Sequence, residues 1–354
     1  MVPGFESLIN QEKPIRILTT LLRNGTLPHA LLFTGTEGVG KQAAAIALAM
    51  ACNCQRELPE FNADHRSSQD PVNSPGEFNS ITMGACGVCR SCRKIAAGSH
   101  PDIIHIQPIG PFIKIDQIRS LLQTLAMKPY EAITRVAILS EAQAMNAAAS
   151  NALLKILEEP PSRSMLVLTA NQKSDLLPTI VSRCQNVGFN PIPSKQIASW
   201  LKNKHGIEPE AADILAAMAN GSFSRARMMI ENNWLQRRKW VIAEMDRLSL
   251  QPIAHLFAVA EKLSREKERL AQSLEIIKVW FRDLIINQYE PGKIINRDVA
   301  DKIKTASQKN TLPDLLFKVD AVQKTQIRLA ANTNLRLAME DLLVSLANPQ
   351  GPNK

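Results

Sequence analysis

A parallel α/β sheet that carries a small metal-binding insertion and gives way to an all-helical second half is the fold this 354-residue sequence predicts. Three observations predict it. Apolar runs of strand length alternate with helical patterns through the first half, the signature of βαβ units. A glycine loop, Thr34-Gly-Thr-Glu-Gly-Val-Gly-Lys-Gln42, sits between the first such run and a helix-forming stretch. After Pro191-Ile192-Pro193 the strand signals stop, and only amphipathic helical patterns follow.

In chain order, residues 5–24 read as a helix with Leu8, Ile15, Ile17, Leu18, Leu21 and Leu22 on its apolar face, closed by Asn24-Gly25. Ala30 to Phe33 is the first strand, and Lys41 opens the next helix, which ends near the first cysteines. Residues 55–85, rich in Pro, Ser, Asn and Asp without apolar period, predict a long mobile insertion. Ile103 to Ile106 is a second strand, 116–127 a helix on the spacing of Ile118, Leu121, Leu122 and Leu125, and Arg135 to Leu139 a third strand. Ala142 to Glu159 predicts a helix stopped by Pro160-Pro161, and Met165 to Thr169 a fourth strand. A short helical turn is expected over 175–181. Residues 194–232 read as a small helical unit, and 234–347 as longer helices, among them 253–288 and 315–346, with a frayed tail over 349–354.

The totals set the class. Hydrophobic residues at 45% and charged residues at 21% describe a globular protein with real cores. No apolar run approaches the roughly 20 residues of a membrane span, and residues 1–10 lack the order of a signal peptide, which predicts a cytoplasmic chain with no membrane partner. A net charge of +9 suits an acidic partner such as nucleic acid, while aromatics at 5% argue against base stacking as the mode.

Two constellations carry chemistry. In a loop of the form Gly-x-x-x-x-Gly-Lys, here Gly35, Gly38, Gly40 and Lys41, backbone N–H groups at a helix N-terminus wrap phosphates and the lysine reaches the outer ones. Magnesium asks for Ser or Thr after the lysine and an aspartate after the third strand, but the sequence has Gln42 and Ser140. Glu141 remains as a group able to orient water. Loss of both magnesium positions predicts absent or feeble hydrolysis. In the second constellation, Cys86, Cys89 and Cys92 offer three thiolates from one tight loop, with Gly87, Arg90 and Ser91 as loop residues between them. The fourth ligand is open between Cys52 and Cys54, with His100 and His105 as outsiders. Ala96 stands where a four-iron run would need another cysteine, so the expectation is a closed, structural zinc site.

Together with His100-Pro101-Asp102, Ser150-Asn-Ala-Leu-Leu-Lys-Ile-Leu-Glu-Glu-Pro-Pro161 and Ser182-Arg183-Cys184, these segments resemble the AAA+ clamp-loader proteins of bacterial DNA polymerase III. The resemblance is strong over residues 5–190 and thin beyond about 232. It implies an AAA+ nucleotide-binding-type domain over 1–190 with a zinc module at about 52–97, a helical lid over 191–232 and a helical collar over 233–354. In the family the first zinc cysteine lies 13 residues after the loop lysine and follows an asparagine, which places it at Cys54 after Asn53. The resemblance further implies a hetero-pentamer with gamma/tau-type motor subunits and a delta-type subunit, acting on the sliding clamp and primer-template DNA. Altered Gln42 and Ser140 fit the family's stationary member, whose Ser-Arg-Cys arginine, here Arg183, completes a neighbour's ATP site in trans. ATP and magnesium binding by the chain itself stays open. Gly221 to Arg225 matches the lid position where motor subunits keep a second sensing arginine. The rival readings are an ATP-hydrolysing motor subunit using Lys41 and Glu141, and a zinc-dependent nucleic-acid module with Arg90, Arg93 and Lys94.

Overall fold

The computed structural model describes residues 4–56, 84–330 and 334–348, so most of the expected insertion, 57–83, and the tail from 349 lie outside the described residues. The chain divides into two compact units, Met1–Pro193 with Gly221–Ser224, and Ser194–Asn220 with Arg225–Lys354.

Unit one is built on five parallel strands, β1 (Ala30–Thr34), β2 (Ile103–Ile106), β3 (Arg135–Leu139), β4 (Ser164–Ala170) and β5 (Gln185–Gly188), in the order β2-β3-β4-β1-β5. Its helices are α1 (Glu12–Arg23), α2 (Lys41–Cys52), α3 (Arg90–Ala96), α4 (Ile115–Ala126), α5 (Ala147–Glu158) and α6 (Pro178–Val181). Strand residues alternate between two cores. Leu31, Phe33, Val136, Ile138 and Val167 join α1, α2 and α3 on one face, while Ala30, Leu32, Ala137, Leu139 and Leu168 join α4 and α5 on the other. Both faces of the inner strands β1, β3 and β4 are covered, so these read as continuous apolar runs. The order reverses beside β1, and the glycine loop leaves β1 at its C-terminal end, where open α/β sheets bind ligands.

Three local expectations change. The helix expected over 5–24 is a single turn at Phe5–Ser7 and then α1, because Asn10 is left-handed (φ 59°) and Pro14 is tolerated only in a first turn. The helix expected from Ala142 is a turn at Ala142–Ala144 followed by α5, capped by Asn146, whose side chain accepts the Ala149 N–H (2.8 Å). The edge strand β5 is absent from the strand pattern because only Val187 of its four residues is buried.

Unit two holds α7 (Ser194–His205), α8 (Pro209–Met218), α9 (Phe223–Glu231, from Arg225 onward), α10 (Trp234–Asp246), α11 (Ile253–Arg265), α12 (Lys267–Tyr289), α13 (Ala300–Gln308), α14 (Leu312–Ala330) and α15 (Leu335–Ala347). α12 packs against α10, α13 and α14, and α11 against α15. The pattern over 253–288 splits at Glu266 (φ −101°, ψ 71°), whose carboxylate takes the buried Arg237 guanidinium (3.2 Å). The pattern over 315–346 likewise resolves into α14 and α15, the latter capped by Asn334. Arg238, fully buried, donates to Asn296 Oδ1 (2.8 Å) and pairs with Asp298, tying α10 to the segment before α13.

Candidate functional site

The glycine loop folds as its spacing requires. Gly35 (φ 146°) passes so close to Phe189 that a Cβ would lie 2.7 Å from the Phe189 carbonyl oxygen, and at Gly38 (φ 75°) it would lie 2.1 Å from Ser222 Oγ. Gly40, left-handed at φ 104°, is the N-cap of α2. Two contacts brace the loop: Phe223 N–H donates to Gly38 O (3.2 Å), and Gln11 Nε2 donates to Val39 O (3.3 Å). Gln11 is fully buried and also exchanges two hydrogen bonds with the Asn190 backbone, Nε2 to O (2.7 Å) and N–H to Oε1 (3.0 Å).

Above the loop lies a cavity of about 510 Å³, within the range of ligand pockets. The phosphate-loop residues Gly38, Gly40, Lys41 and Gln42 line it together with Ser140 and Glu141 from the end of β3. Lys41 is 9% exposed, and its Nζ donates to Thr36 O (2.8 Å) and Gly35 O. Burial pulls its pKa down, opposed by the carboxylates of Glu37 and Glu141. Ser140 is 9% exposed, and among the described residues its hydroxyl has no hydrogen-bond partner; Gln143 Oε1, also on the cavity, is in the same position. Glu141 is left-handed (φ 54°) and its N–H donates to Thr169 Oγ1 (3.1 Å) at the end of β4. No sequence signal marks Thr169 or Gln11 as parts of this site, since only the sheet order and the chain return bring them to the loop; the 221–224 segment, matched in sequence to a lid position, meets the loop through Phe223.

The second site is a thiol cluster. Cys54, two residues past α2, meets Cys86, Cys89 and Cys92 with all four sulfurs within 4.8 Å of one another. Tetrahedral zinc with sulfurs at about 2.3 Å needs sulfur–sulfur edges of about 3.8 Å, and Cys86 Sγ and Cys92 Sγ stand 4.0 Å apart. Backbone N–H groups already point at the sulfurs: Cys86 N at Cys54 Sγ (3.4 Å), Cys89 N at Cys86 Sγ (3.3 Å) and Cys92 N at Cys89 Sγ (3.4 Å). Burial works against ionising Cys86, but the Cys89 and Val88 N–H groups and neighbouring thiols bring its pKa down to about 6. Burial pushes Cys92 up. Arg90 and Ser91, expected in a loop, form the first turn of α3, and Cys89 caps it. The donor set fits a closed four-sulfur site.

Cys52 stays on α2, packed against the apolar core, with burial pushing its thiol up to about 12. His100 is buried and its Nδ1 accepts the Asp102 N–H (3.2 Å), and neither it nor His105 of β2 is among the groups that meet the sulfurs. Asn53, next to Cys54, makes two hydrogen bonds with the Thr134 backbone: its Nδ2 donates to Thr134 O (2.9 Å), and the Thr134 N–H donates to its Oδ1 (3.0 Å). The same 127–134 segment is gripped by buried Asp102, which accepts N–H groups from Tyr130, Glu131 and Ala132 and pairs with Arg135 (2.7 Å). Burial alone would raise the Asp102 pKa, but these N–H groups and the guanidinium hold it well below the usual carboxylate range.

Arg183 lies on the turn between α6 and β5, its side chain 37% exposed and paired with Glu158 of α5 (3.0 Å), and it also donates to Thr179 O (3.0 Å). It is not among the residues lining the cavity. Arg225 pairs with Glu275 of α12.

One family model, DNA polymerase III, delta subunit, matches residues 10–72 and 76–193. A second, DNA polymerase III, delta subunit, C terminal, matches 232–348. The chain belongs to the delta-prime family of DNA polymerase III clamp-loader subunits. It is 30% identical over 336 residues to DNA polymerase III subunit delta' of Pseudomonas aeruginosa, covering 92% of this chain and 93% of that one. With subunit delta' of Bacillus subtilis it shares 29% over 340 residues, covering 95% and 96%. Subunit tau of Bacillus subtilis is 27% identical over 327 residues, 85% of this chain and 52% of tau.

Proposed function

We propose that the chain is the non-motor subunit of a clamp loader, helping to load the sliding clamp onto primer-template DNA while donating Arg183 to the ATP site of a neighbouring motor subunit. One observation carries this reading: beside an otherwise intact phosphate loop, the two positions that would serve magnesium hold Gln42, just after the loop lysine, and Ser140, at the end of β3. A cleft that keeps its shape but lacks groups for the ion that activates transfer has little hydrolysis of its own. Its partners on this reading are gamma/tau-type motor subunits and a delta-type subunit in a hetero-pentamer. Likeness to delta' over nearly the whole chain, and to tau over most of it, supports membership of such a ring.

Arg183 suits donation in trans. It sits away from the chain's own cavity, partly exposed, and is restrained by Glu158 and the Thr179 carbonyl rather than buried. A guanidinium so held stabilises charge on a transferring phosphoryl group without covalent chemistry. Cys54, Cys86, Cys89 and Cys92 would hold one zinc ion, which supplies structural cross-linking between the end of α2 and the start of α3 and leaves no position for a reacting water. Three domains are proposed, 1–190, 191–232 and 233–354, a division supported by the family-model limits at 193 and 232. Among the described residues no helix is long and apolar enough to cross a membrane.

The test is Arg183→Ala in a ring reconstituted with motor and delta-type subunits. Complex mass should be unchanged, while clamp- and DNA-stimulated ATPase at the adjoining site should fall by about 10³–10⁵-fold, the size of arginine-finger effects. Normal stimulated activity would remove the trans role.

A further inference from the structure

Beside the phosphate cavity lies a second one, of about 440 Å³, that shares only Asn171 with it. The first two turns of α1, the C-terminal ends of β1 and β5 and the turn that follows β4 line it. We propose that this second cavity binds a small phosphomonoester of the sugar-phosphate class, with Lys13 and Lys173 on the phosphate and side-chain amides on the hydroxyls.

Charge selects an anion. Lys13 and Lys173 are the charged residues on the wall and no Asp or Glu lines it, whereas the phosphate cavity sets Glu37 and Glu141 against Lys41. Among the described residues neither ammonium group has an ion pair or a hydrogen bond. Asp175, on the same turn as Lys173, instead takes the Gln172 amide (2.8 Å). Two ammonium groups on one concave wall repel each other, and a bound anion relieves that repulsion. A phosphate offers them three oxygens where a carboxylate offers two.

The rest of the wall selects the body that carries the phosphate. Thr34, 8% exposed, donates its hydroxyl hydrogen to Asn186 Oδ1 (3.1 Å), which orients the amide and leaves Asn186 Nδ2 without a partner among the described residues. Gln11 holds Asn190 by both backbone groups (2.7 and 3.0 Å), and the Gly35 N–H holds the Asn171 carbonyl (3.0 Å), so two further amide side chains stand on a fixed backbone. Amides both donate and accept, which suits hydroxyl groups. A base finds no ring to stack on, because Phe189 is 5% exposed and packs against Phe33 in the core, with centroids 5.2 Å apart. The volume falls in the range of small-molecule sites, about 300–1,000 Å³, and exceeds what a bare ion fills. A phosphate on a compact polyhydroxyl body meets all of these conditions.

Calorimetry on the full chain tests this, with ribose 5-phosphate as the probe and ribose and inorganic phosphate beside it. Ribose 5-phosphate should bind at one site per chain, inorganic phosphate more weakly and ribose not measurably. Lys13→Ala and Lys173→Ala, both at exposed positions, should each weaken binding about tenfold, the scale of one charge-assisted hydrogen bond. The two together should remove it, with the fold unchanged by circular dichroism. Salt at about 1 M, where the Debye length is about 3 Å, should weaken binding as well. In a second measurement, ribose 5-phosphate should protect the Lys13 and Lys173 amines from acetylation, read by mass spectrometry. No ribose 5-phosphate binding by the folded chain overturns the proposal, as does binding that survives loss of both lysines or leaves their amines unprotected. Capture of a 5′-hydroxyl DNA oligonucleotide through the same lysines, without ribose 5-phosphate binding, overturns it in favour of a nucleic-acid surface.

Discussion

The thiol cluster and the phosphate cavity lie at opposite ends of the same helix, α2, and differ in how complete they are. At the C-terminal end all four sulfurs converge within 4.8 Å, with N–H groups aimed at three of them. At the N-terminal end the loop has its three glycines at positive φ and its lysine, while Gln42 and Ser140 stand at the two positions expected to serve magnesium. A closed metal site needs every ligand, since each missing one removes a bond that holds the fold. A phosphate loop can lose its catalytic ion and keep its architecture, because the glycines and the backbone contacts of Gln11 and Phe223 maintain it independently of any reaction. At one end of α2 the order lies in converging side chains, at the other in backbone contacts.

The sharpest way to break that comparison is to remove a sulfur. Cys89→Ser should reduce bound zinc from one per chain to a trace, read by metal analysis, and melt the 84–96 segment, read by hydrogen exchange; structural zinc sites carry apparent binding energies of about 10–16 kcal/mol. Retention of metal and protection would mean the cluster is not a zinc site. Next in size is Asp102→Asn, which leaves the Arg135 guanidinium buried without its carboxylate and should cost about 3–5 kcal/mol in denaturant unfolding. The pH dependence has a definite sign. The folded Asp102 pKa is depressed, so its contribution is present above the unfolded value of about 3.9 and is lost as pH falls from there toward the folded pKa. Acid unfolding of Asp102→Asn should therefore lose part of the wild-type slope in that window, and an unchanged slope would show that the network does not stabilise the fold.

On the loop side the effects are smaller. Gly38→Ala, at φ 75° and facing Ser222, should destabilise by about 1–2 kcal/mol in thermal unfolding, the penalty of a left-handed alanine before any clash is counted. A neutral result would mean the loop is not held in its phosphate-binding form. Smallest is Glu158→Gln, which removes an exposed partner of Arg183 and should change stability by about 0.5 kcal/mol or less. A larger loss would make the pair a structural element and weaken its proposed availability to a neighbour.

Much of this was legible in the residues. Strands β2 and β3 occupy the predicted ranges; every residue of β3 is buried, whereas β2, at the sheet edge, is buried only at Ile103 and Ile106. β5 was not legible, since an edge strand with one buried residue has no apolar run. The break at Glu266 carries no Gly or Pro; an ion pair with Arg237, 29 positions earlier, accompanies it. The break before α15 was signalled by Asn334, a good cap overridden by the apolar spacing on either side.

The sequence by itself determined the class of sheet, the loop with its altered magnesium positions, and three cysteines at fixed spacing, because each depends on neighbours within a few residues. Counting within the family resemblance pointed to Cys54 over Cys52. Only the tertiary structure decided how Asn53 anchors that cysteine on Thr134, that Ser140, Thr169 and Phe223 meet around one cavity, and that Gln11 braces its loop through Val39 O. Those placements follow from strand order and from segments far apart in the chain closing on one another, and no local periodicity encodes them.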